Sequence, residues 1–355
     1  MIEKKISERV LLVGPDYKRK GGIASVLAQY KTMFESFNFV ATSWQAGRFV
    51  NLILLIKNLL VFIYQLSRPK IAIIHIHSAS NLDFARHAIF VYLAKFFHKK
   101  VLLHLHGGDF EDFYHAHEKL AAHVCHKADG IIAVSSYFSN LFQTLRLCDR
   151  IYLLHNAIAP PHTTLPLNET SSGKNKFRLL YIGRIHEKKG CFDVLHCIGT
   201  YKEKFGDKLE YHLAGQGDTD QMNAIITQYG IADCVFYHEW LNGKSKEELI
   251  NHSDCYIQPS YFESFGLSIL EAMAHGLPVI TSPIGGIPDL IENNINGIFV
   301  TPGHMDELAA AIERLMQNPA ERHSMGEQAS RKARNFYIDK MEENIHHLYD
   351  KILNE

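Results

Sequence analysis

Short runs of β-branched and aliphatic residues alternate with segments of helical length from one end of the chain to the other. In the first half the runs cover residues 10–13, 39–42, 71–77, 101–106, 130–134 and 151–155. In the second half they cover 177–182, 209–214, 234–237, 255–258, 278–281 and 297–300. Alternation of this kind predicts parallel sheets covered by helices on both faces. Twelve strands exceed a usual single sheet, so two sheets of about six are expected. The stretch AIAPPHTTLPLNETSSGKN has no period and is rich in Pro, Ser, Thr and Asn, as an inter-domain linker would be. The expected division is a domain over 1–160, a linker over 161–175, a second domain over 176–336 and a terminal helix over 337–355. Helices are predicted at 305–317, 319–336 and 339–353, the last packing back toward the first domain. The fold class is therefore α/β, with two doubly wound Rossmann-like domains whose ligand lies outside the carboxyl ends of the strands.

Composition narrows the class of protein. At 355 residues, 46% hydrophobic and 21% charged, the chain suits two well-cored domains and not a disordered protein. The formal net charge of -1 points to no nucleic-acid partner. Between residues 36 and 108, however, eight bases (Arg48, Lys57, Arg68, Lys70, Arg86, Lys95, Lys99, Lys100) face one acid, Asp83, a local excess of seven. Such asymmetry predicts an anionic ligand or surface on the N-terminal side. The six cysteines form no CxxC pair and read as free thiols in a reducing compartment. The N-terminus MIEKKISERV lacks the apolar core of a secretory signal. The longest apolar run, 49–66, is interrupted by Asn51, Lys57 and Asn58 and falls short of the roughly 20 residues of a spanning helix. A cytoplasmic location is expected.

Four segments carry candidate chemistry. KRKGGIASV follows the first strand run, where Gly21 and Gly22 let backbone approach a ligand and open a helix whose free N–H groups suit an anion. It matches no nucleotide-binding glycine motif, and an ordinary glycine turn accounts for it too. The run 177–182 leads into GRIHEKKG, where Arg184 offers a planar fork and Lys189 a point charge, a pair suited to a diphosphate. A solvated basic loop is the plainer alternative. SYFESFGLSILEAMAHGLP places Glu263 in a loop, Gly266 near a helix start and Glu271 inside the helix. Eight residues of helix rise ~12 Å, so the two carboxylates would serve different hydroxyl pairs of an elongated ligand. Ser264, Phe265, Gly266 and Leu267 would present amides at the helix N-terminus. A capping box joining Ser268 to Glu271 is the structural alternative, and it requires the helix to begin at Ser268. Finally, LHLHGGDF sets His104 and His106 on one face of a strand, with His106 at its carboxyl end.

With these segments in this order, the chain resembles glycosyltransferase family 4, retaining enzymes of the GT-B fold. The matches are Gly21-Gly22, His106-Gly107, Gly183-Arg184 to Lys189-Gly190, and Glu263 followed after seven residues by Glu271. The resemblance implies a hexosyl- or glycosyltransferase that takes a nucleotide-diphosphate sugar as donor substrate and needs no metal or other cofactor. By position, Arg184 and Lys189 would hold the diphosphate with help from the Gly22 amide. Glu271 would take the ribose hydroxyls, Glu263 the donor sugar, and His106 would contact the sugar from the N-terminal side. Asn156 resembles a family position lining the cleft. Asp218-Thr-Asp220 has the DxD form used by metal-dependent transferases, but its place after a glycine turn predicts a surface loop.

On the acceptor side, 49–66 is expected to form a helix with Asn51, Asn58 and Gln65 in one stripe, and 85–100 a second apolar helix with basic ends. Burial explains such helices; so does docking on an anionic membrane surface. The latter implies a glycan or lipid-linked acceptor in bacterial surface polysaccharide synthesis (capsule, exopolysaccharide or lipopolysaccharide), with the protein peripheral on the inner face of the plasma membrane. Two competing readings remain. One is a metal-dependent hydrolase built on His75/His77 and His104/His106 with Asp109 or His155 as a further ligand. The other is an inactive sugar-nucleotide binder.

Overall fold

A computed structural model describes residues 1–162 and 176–355. Most of the expected linker, from residue 163, lies outside the described residues. The chain divides into two compact units, residues Met1–Ala157 with Ile338–Glu355, and Ile158–Tyr337. The first division falls three residues before the expected domain edge, because Ile158 bridges to Tyr337 and donates its amide to the Phe336 carbonyl within the second unit.

Each unit is built on a six-stranded parallel sheet. The N-terminal sheet contains β1 (Val10–Gly14), β2 (Phe39–Ala41), β3 (Ile73–Ser78), β4 (Lys100–Leu105), β5 (Gly130–Ala133) and β6 (Ile151–Leu153), in the order β2-β1-β3-β4-β5-β6. The C-terminal sheet contains β7 (Phe177–Ile182), β8 (Leu209–Ala214), β9 (Val235–His238), β10 (Cys255–Gln258), β11 (Val279–Thr281) and β12 (Gly297–Phe299), ordered β12-β11-β10-β7-β8-β9. The strands form where the apolar runs demand burial on both faces: every residue of β1, β3, β5, β10 and β11 is buried.

The strand orders matter for function. In the second unit the chain starts at β7, works outward to β9, then returns to β10 on the other side of β7. In the first it leaves β1 for β2 and returns to β3. Ligand sites in such sheets form where the order reverses, beyond the carboxyl ends of the two strands. Those positions fall beyond β7 and β10, and beyond β1 and β3.

The last helix, Ile338–Asn354, belongs to the N-terminal unit. It buries Met341, Ile345, Leu348, Tyr349 and Ile352, and the Tyr349 hydroxyl lies 2.5 Å from His75 Nδ1.

The helix Arg48–Ser67 departs from the sequence expectation. It runs unbroken for 20 residues, with a mean hydropathy of 1.9 and 11% of its apolar window buried, so in length and composition it meets the requirement for crossing a membrane. Its polar stripe faces inward. Asn51 accepts from the Trp44 amide and donates to the Ala46 carbonyl, and Asn58 donates to Ala41 O at 2.9 Å. Phe49, Ile53, Ile56, Leu60 and Tyr64, spaced at helical repeats, are exposed instead.

Candidate active site

The carboxyl end of β7 turns at Gly183 into the loop that carries Arg184 and Lys189. The Tyr181 hydroxyl donates to the Arg184 carbonyl at 2.6 Å, fixing the loop's backbone while the Arg184 side chain stays exposed. A short 3-10 turn, Glu187–Lys189, ends at Gly190 with φ 70°. Any side chain there would place its Cβ 2.2 Å from the Pro259 carbonyl, so glycine is required for this loop to lie against the end of β10.

That closeness joins the two motifs. Lys189 Nζ reaches Glu263 Oε2 at 2.6 Å and the Phe262 carbonyl at 3.4 Å. The cation expected at the diphosphate and the carboxylate expected at the sugar are therefore an ion pair. Glu263 Oε1 also accepts from the Ser264 amide at 3.1 Å, so one of the four expected amides already serves its neighbour. Beneath Glu263 lies a position the sequence reading missed. Gly285, at φ 55°, brings its backbone so near that a Cβ would sit 1.8 Å from the Glu263 carbonyl.

The helix after Glu263 spans Leu267–Ala274, with Gly266 as its N-cap. A helix beginning at Leu267 removes the register needed for a Ser268–Glu271 capping box. Glu271 pairs instead with Lys246 Nζ at 2.8 Å, from the helix Gly243–Asn251, and Ser268 donates to Gln258 Oε1. Sequence reasoning found neither Lys246 nor Gln258. The Phe265 side chain is buried, edge-on to Phe336, and contributes packing. Asp218 caps the helix Thr219–Tyr229 by accepting from the Gln221 amide, which gives the DxD segment a local structural role.

In the N-terminal unit, Gly21 is the N-cap of the helix Gly22–Met33; both glycines are exposed, and a Cβ at either would meet nothing within 4 Å. His106 follows β4 directly and donates its amide to the Ser78 carbonyl. It ends a ladder of imidazoles: His75 Nε2 lies 3.2 Å from His104 Nδ1, and His77 Nδ1 lies 3.0 Å from His106 Nε2. Burial holds His75 and His106 down to about 3, and holds His77 and His104 well below the usual histidine range. All four rings are neutral at physiological pH. Asp83 is pushed up by burial, but His87, the Ala79 amide and Arg86 outweigh this and hold it at about 2. Asn156, at the end of β6, is buried, and its Oδ1 accepts no hydrogen bond among the described residues.

The donor atoms of His75, His77 and His104 lie within 4.8 Å of one another, a set that could hold a metal ion. The group includes neither Asp109 nor His155, and all three rings are fully buried. A hydrolytic metal keeps a position open to water, and this enclosed cluster offers none, which removes the hydrolase reading.

Residues 167–332 match the family model described as glycosyl transferases group 1. The amylovoran biosynthesis glycosyltransferase AmsK of Erwinia amylovora is 31% identical over 183 residues, 49% of this chain and 44% of that protein. An uncharacterized glycosyltransferase of Methanocaldococcus jannaschii is 29% identical over 182 residues, 48% of this chain and 46% of its own. The chain thus spans about half the length of the curated relatives it matches. Among solved structures, HepE of Anabaena in complex with UDP superposes with a TM-score of 0.76 at 17% identity, covering 97% of this chain and 100% of that one. Sucrose-phosphate synthase of Thermosynechococcus elongatus gives 0.78 at 16% identity, covering 97% and 99%. At such identities the likeness shows the fold. The chain has the GT-B fold, and its second half is similar to the group 1 glycosyl transferases.

Proposed function

We propose that the protein transfers a sugar, with retention and without a metal, from a nucleotide-diphosphate donor to an acceptor. The observation that carries this reading is the gathering of Arg184, Lys189, Glu263 and the Leu267 helix start beyond β7 and β10, where the strand order reverses. Breaking the bond between the sugar's anomeric carbon and the diphosphate leaves negative charge on the departing phosphate oxygen, which Arg184 and Lys189 stabilise electrostatically. The acceptor oxygen bonds to the same face of the sugar, and its proton passes to the departing oxygen. Glu263, held by the Ser264 amide, steadies the oxocarbenium-like sugar, Glu271 holds the ribose, Gly22 and the Phe265–Leu267 amides support phosphate and sugar, and His106 contacts the sugar as a neutral donor or acceptor. Thermal-shift measurements over UDP-, GDP- and ADP-sugars test the donor assignment, since a ligand bound only by the folded state raises its stability. One nucleotide series should raise the midpoint by several degrees; no response to any of them overturns the reading.

The acceptor reading is a lipid-linked glycan at an anionic membrane, in surface polysaccharide synthesis; the similar AmsK is named for amylovoran biosynthesis. The Arg48–Ser67 helix supports it by being inverted, its asparagines turned to the protein and its apolar side chains to the outside. Leu82 and Phe96 of the neighbouring Asn81–Phe96 helix are exposed as well, and Phe62 packs on Phe90 between the two helices. Arg48 and Lys57 add exposed positive charge, worth about 1 kcal/mol each near anionic lipid. Buried Phe62 and Leu66 and the two asparagine bonds pin the helix along the sheet, so it lies in the interface plane and does not cross. The protein should co-sediment with phosphatidylglycerol vesicles at low salt, and Leu60→Asp should abolish this. Wild-type protein that stays in the supernatant sinks the membrane reading and leaves the donor reading intact.

A further inference from the structure

We propose that Gln258 is a positioning residue that sets the orientation of the Glu263 carboxylate. The inference rests on the placement of Glu263 at the donor sugar. Gln258 ends β10 and is buried, at 2% exposure. Its Nε2 lies 3.1 Å from Glu263 Oε2 and 3.0 Å from Ser260 Oγ; its Oε1 lies 2.7 Å from the Tyr256 hydroxyl and 3.0 Å from Ser268 Oγ.

The direction of the amide follows from donor and acceptor inventory. A carboxylate only accepts, so the face toward Glu263 must be the NH2 group. The opposite face is then a carbonyl, and both hydroxyls there can donate to it. Reversal would set the amide oxygen against Glu263 and leave a repulsion there, so the carboxylate fixes the orientation, and the hydroxyls, which can donate or accept, are compatible with it. Tyr256 and Gln258 share a face of β10 by the two-residue strand period, and the Tyr256 hydroxyl also lies 2.9 Å from the Ile182 carbonyl, one residue before Gly183-Arg184. Ser268 lies in the first turn of the Leu267 helix. Gln258 thus ties three parts of the site together: the end of β7, the helix start and the sugar-side carboxylate. Glu263 Oε2 takes Lys189 on one side and Gln258 on the other. When a diphosphate claims Lys189, the Ser264 amide still holds Oε1, and the Gln258 bond is the side-chain contact that keeps Oε2 in place.

The test uses the full chain and follows UDP release from a UDP-hexose with water as acceptor. If another nucleotide gives the larger thermal shift, its sugar is used. Gln258→Met keeps the shape and removes every polar atom. It should lower kcat at least tenfold, while the donor KM and the nucleotide-induced thermal shift change less than about twofold. Gln258→Glu places a second carboxyl against Glu263, and two such groups share one proton. While that proton is held, the bond to Glu263 persists, so this variant should keep activity at acid pH. It should lose activity as pH rises, with the falling limb at least one unit below that of the parent. A residue that merely filled space would not move the profile. Glu263→Gln runs in parallel. If it turns over like the parent, the site reading itself fails. If it is inactive while both Gln258 variants match the parent in kcat and pH profile, the positioning role is overturned. Should Gln258→Met not fold, the profile of Gln258→Glu decides alone.

Discussion

The two sheets end in polar side chains of opposite electrical character. On β3 and β4, and just past β4 at His106, four imidazoles stack in a ladder that burial keeps neutral, with His77 Nε2 and His104 Nε2 accepting and donating nothing among the described residues. Beyond β7 and β10, two lysine–carboxylate pairs remain partly open to solvent, Lys189 with Glu263 and Lys246 with Glu271. A buried ladder of neutral rings gains its order from packing and loses it when protons arrive. An ion pair that keeps part of its surface in solvent leaves its partners free to exchange one another for a ligand. The comparison teaches that polar residues enclosed within one sheet can serve rigidity while those in the loops and helices beyond the other serve exchange.

The largest break expected in this contrast is in turnover. Lys189→Ala should lower kcat on the order of 10²–10³-fold, the usual cost of removing one electrostatic stabiliser of a developing charge. Its melting temperature should stay within a few degrees of the parent, because the ion pair it removes is partly exposed. Steady-state kinetics beside a thermal melt check both halves, and a melt that falls in step with kcat would make Lys189 a structural residue.

The second concerns pH. Unfolded imidazoles titrate near about 6.5, whereas folded His75 and His106 are held down to about 3. Protons therefore bind the unfolded chain first. Stability is complete above pH 6.5 and is lost as pH falls toward 3, at about 1.4 kcal/mol per unit for each such ring. Hydrogen exchange in β3 and β4 should show protection falling over this window, and His75→Leu should flatten the slope. An unchanged slope places the proton uptake on other groups.

A smaller effect is expected at Glu271. Glu271→Gln should raise the donor KM roughly tenfold, in line with about 1.5 kcal/mol for a hydrogen bond to a charged group, with kcat near that of the parent. A fall in kcat alone would move Glu271 from the nucleotide to the reacting centre. Last, EDTA should alter the rate less than about twofold; a strict Mn²⁺ or Mg²⁺ requirement would remove the assignment of leaving-group stabilisation to Arg184 and Lys189.

Much of the fold was legible because each parallel strand is a run of residues that tolerate no water, and all twelve runs became strands with edges shifted by a few residues. Residues 71–72 and His106 fall just outside β3 and β4, although Ala72 and His106 still bond neighbouring strand ends through Arg9, Lys100 and Ser78. The segments proposed for the donor could be picked out because glycine and charge recur at fixed offsets beyond strand ends. What escaped was long-range. Lys246 meets Glu271 across 25 positions, and Gly285 supports Glu263 from 22 positions away; nothing local marks either. The Arg48–Ser67 helix was legible in its asparagine stripe but not in its direction, since periodicity gives a face and not which side it turns to.

The last helix completes the first unit, with Tyr349 set against His75 and Phe34. During synthesis the first 157 residues leave the ribosome long before the 17 residues that cover this side of their core. The C-terminal unit is continuous in sequence and has all of its strands in hand before that helix is made. The order of assembly is thereby reversed with respect to the order of synthesis. A truncation near residue 338 would first be felt as exposure of β3, some 260 residues upstream of the cut.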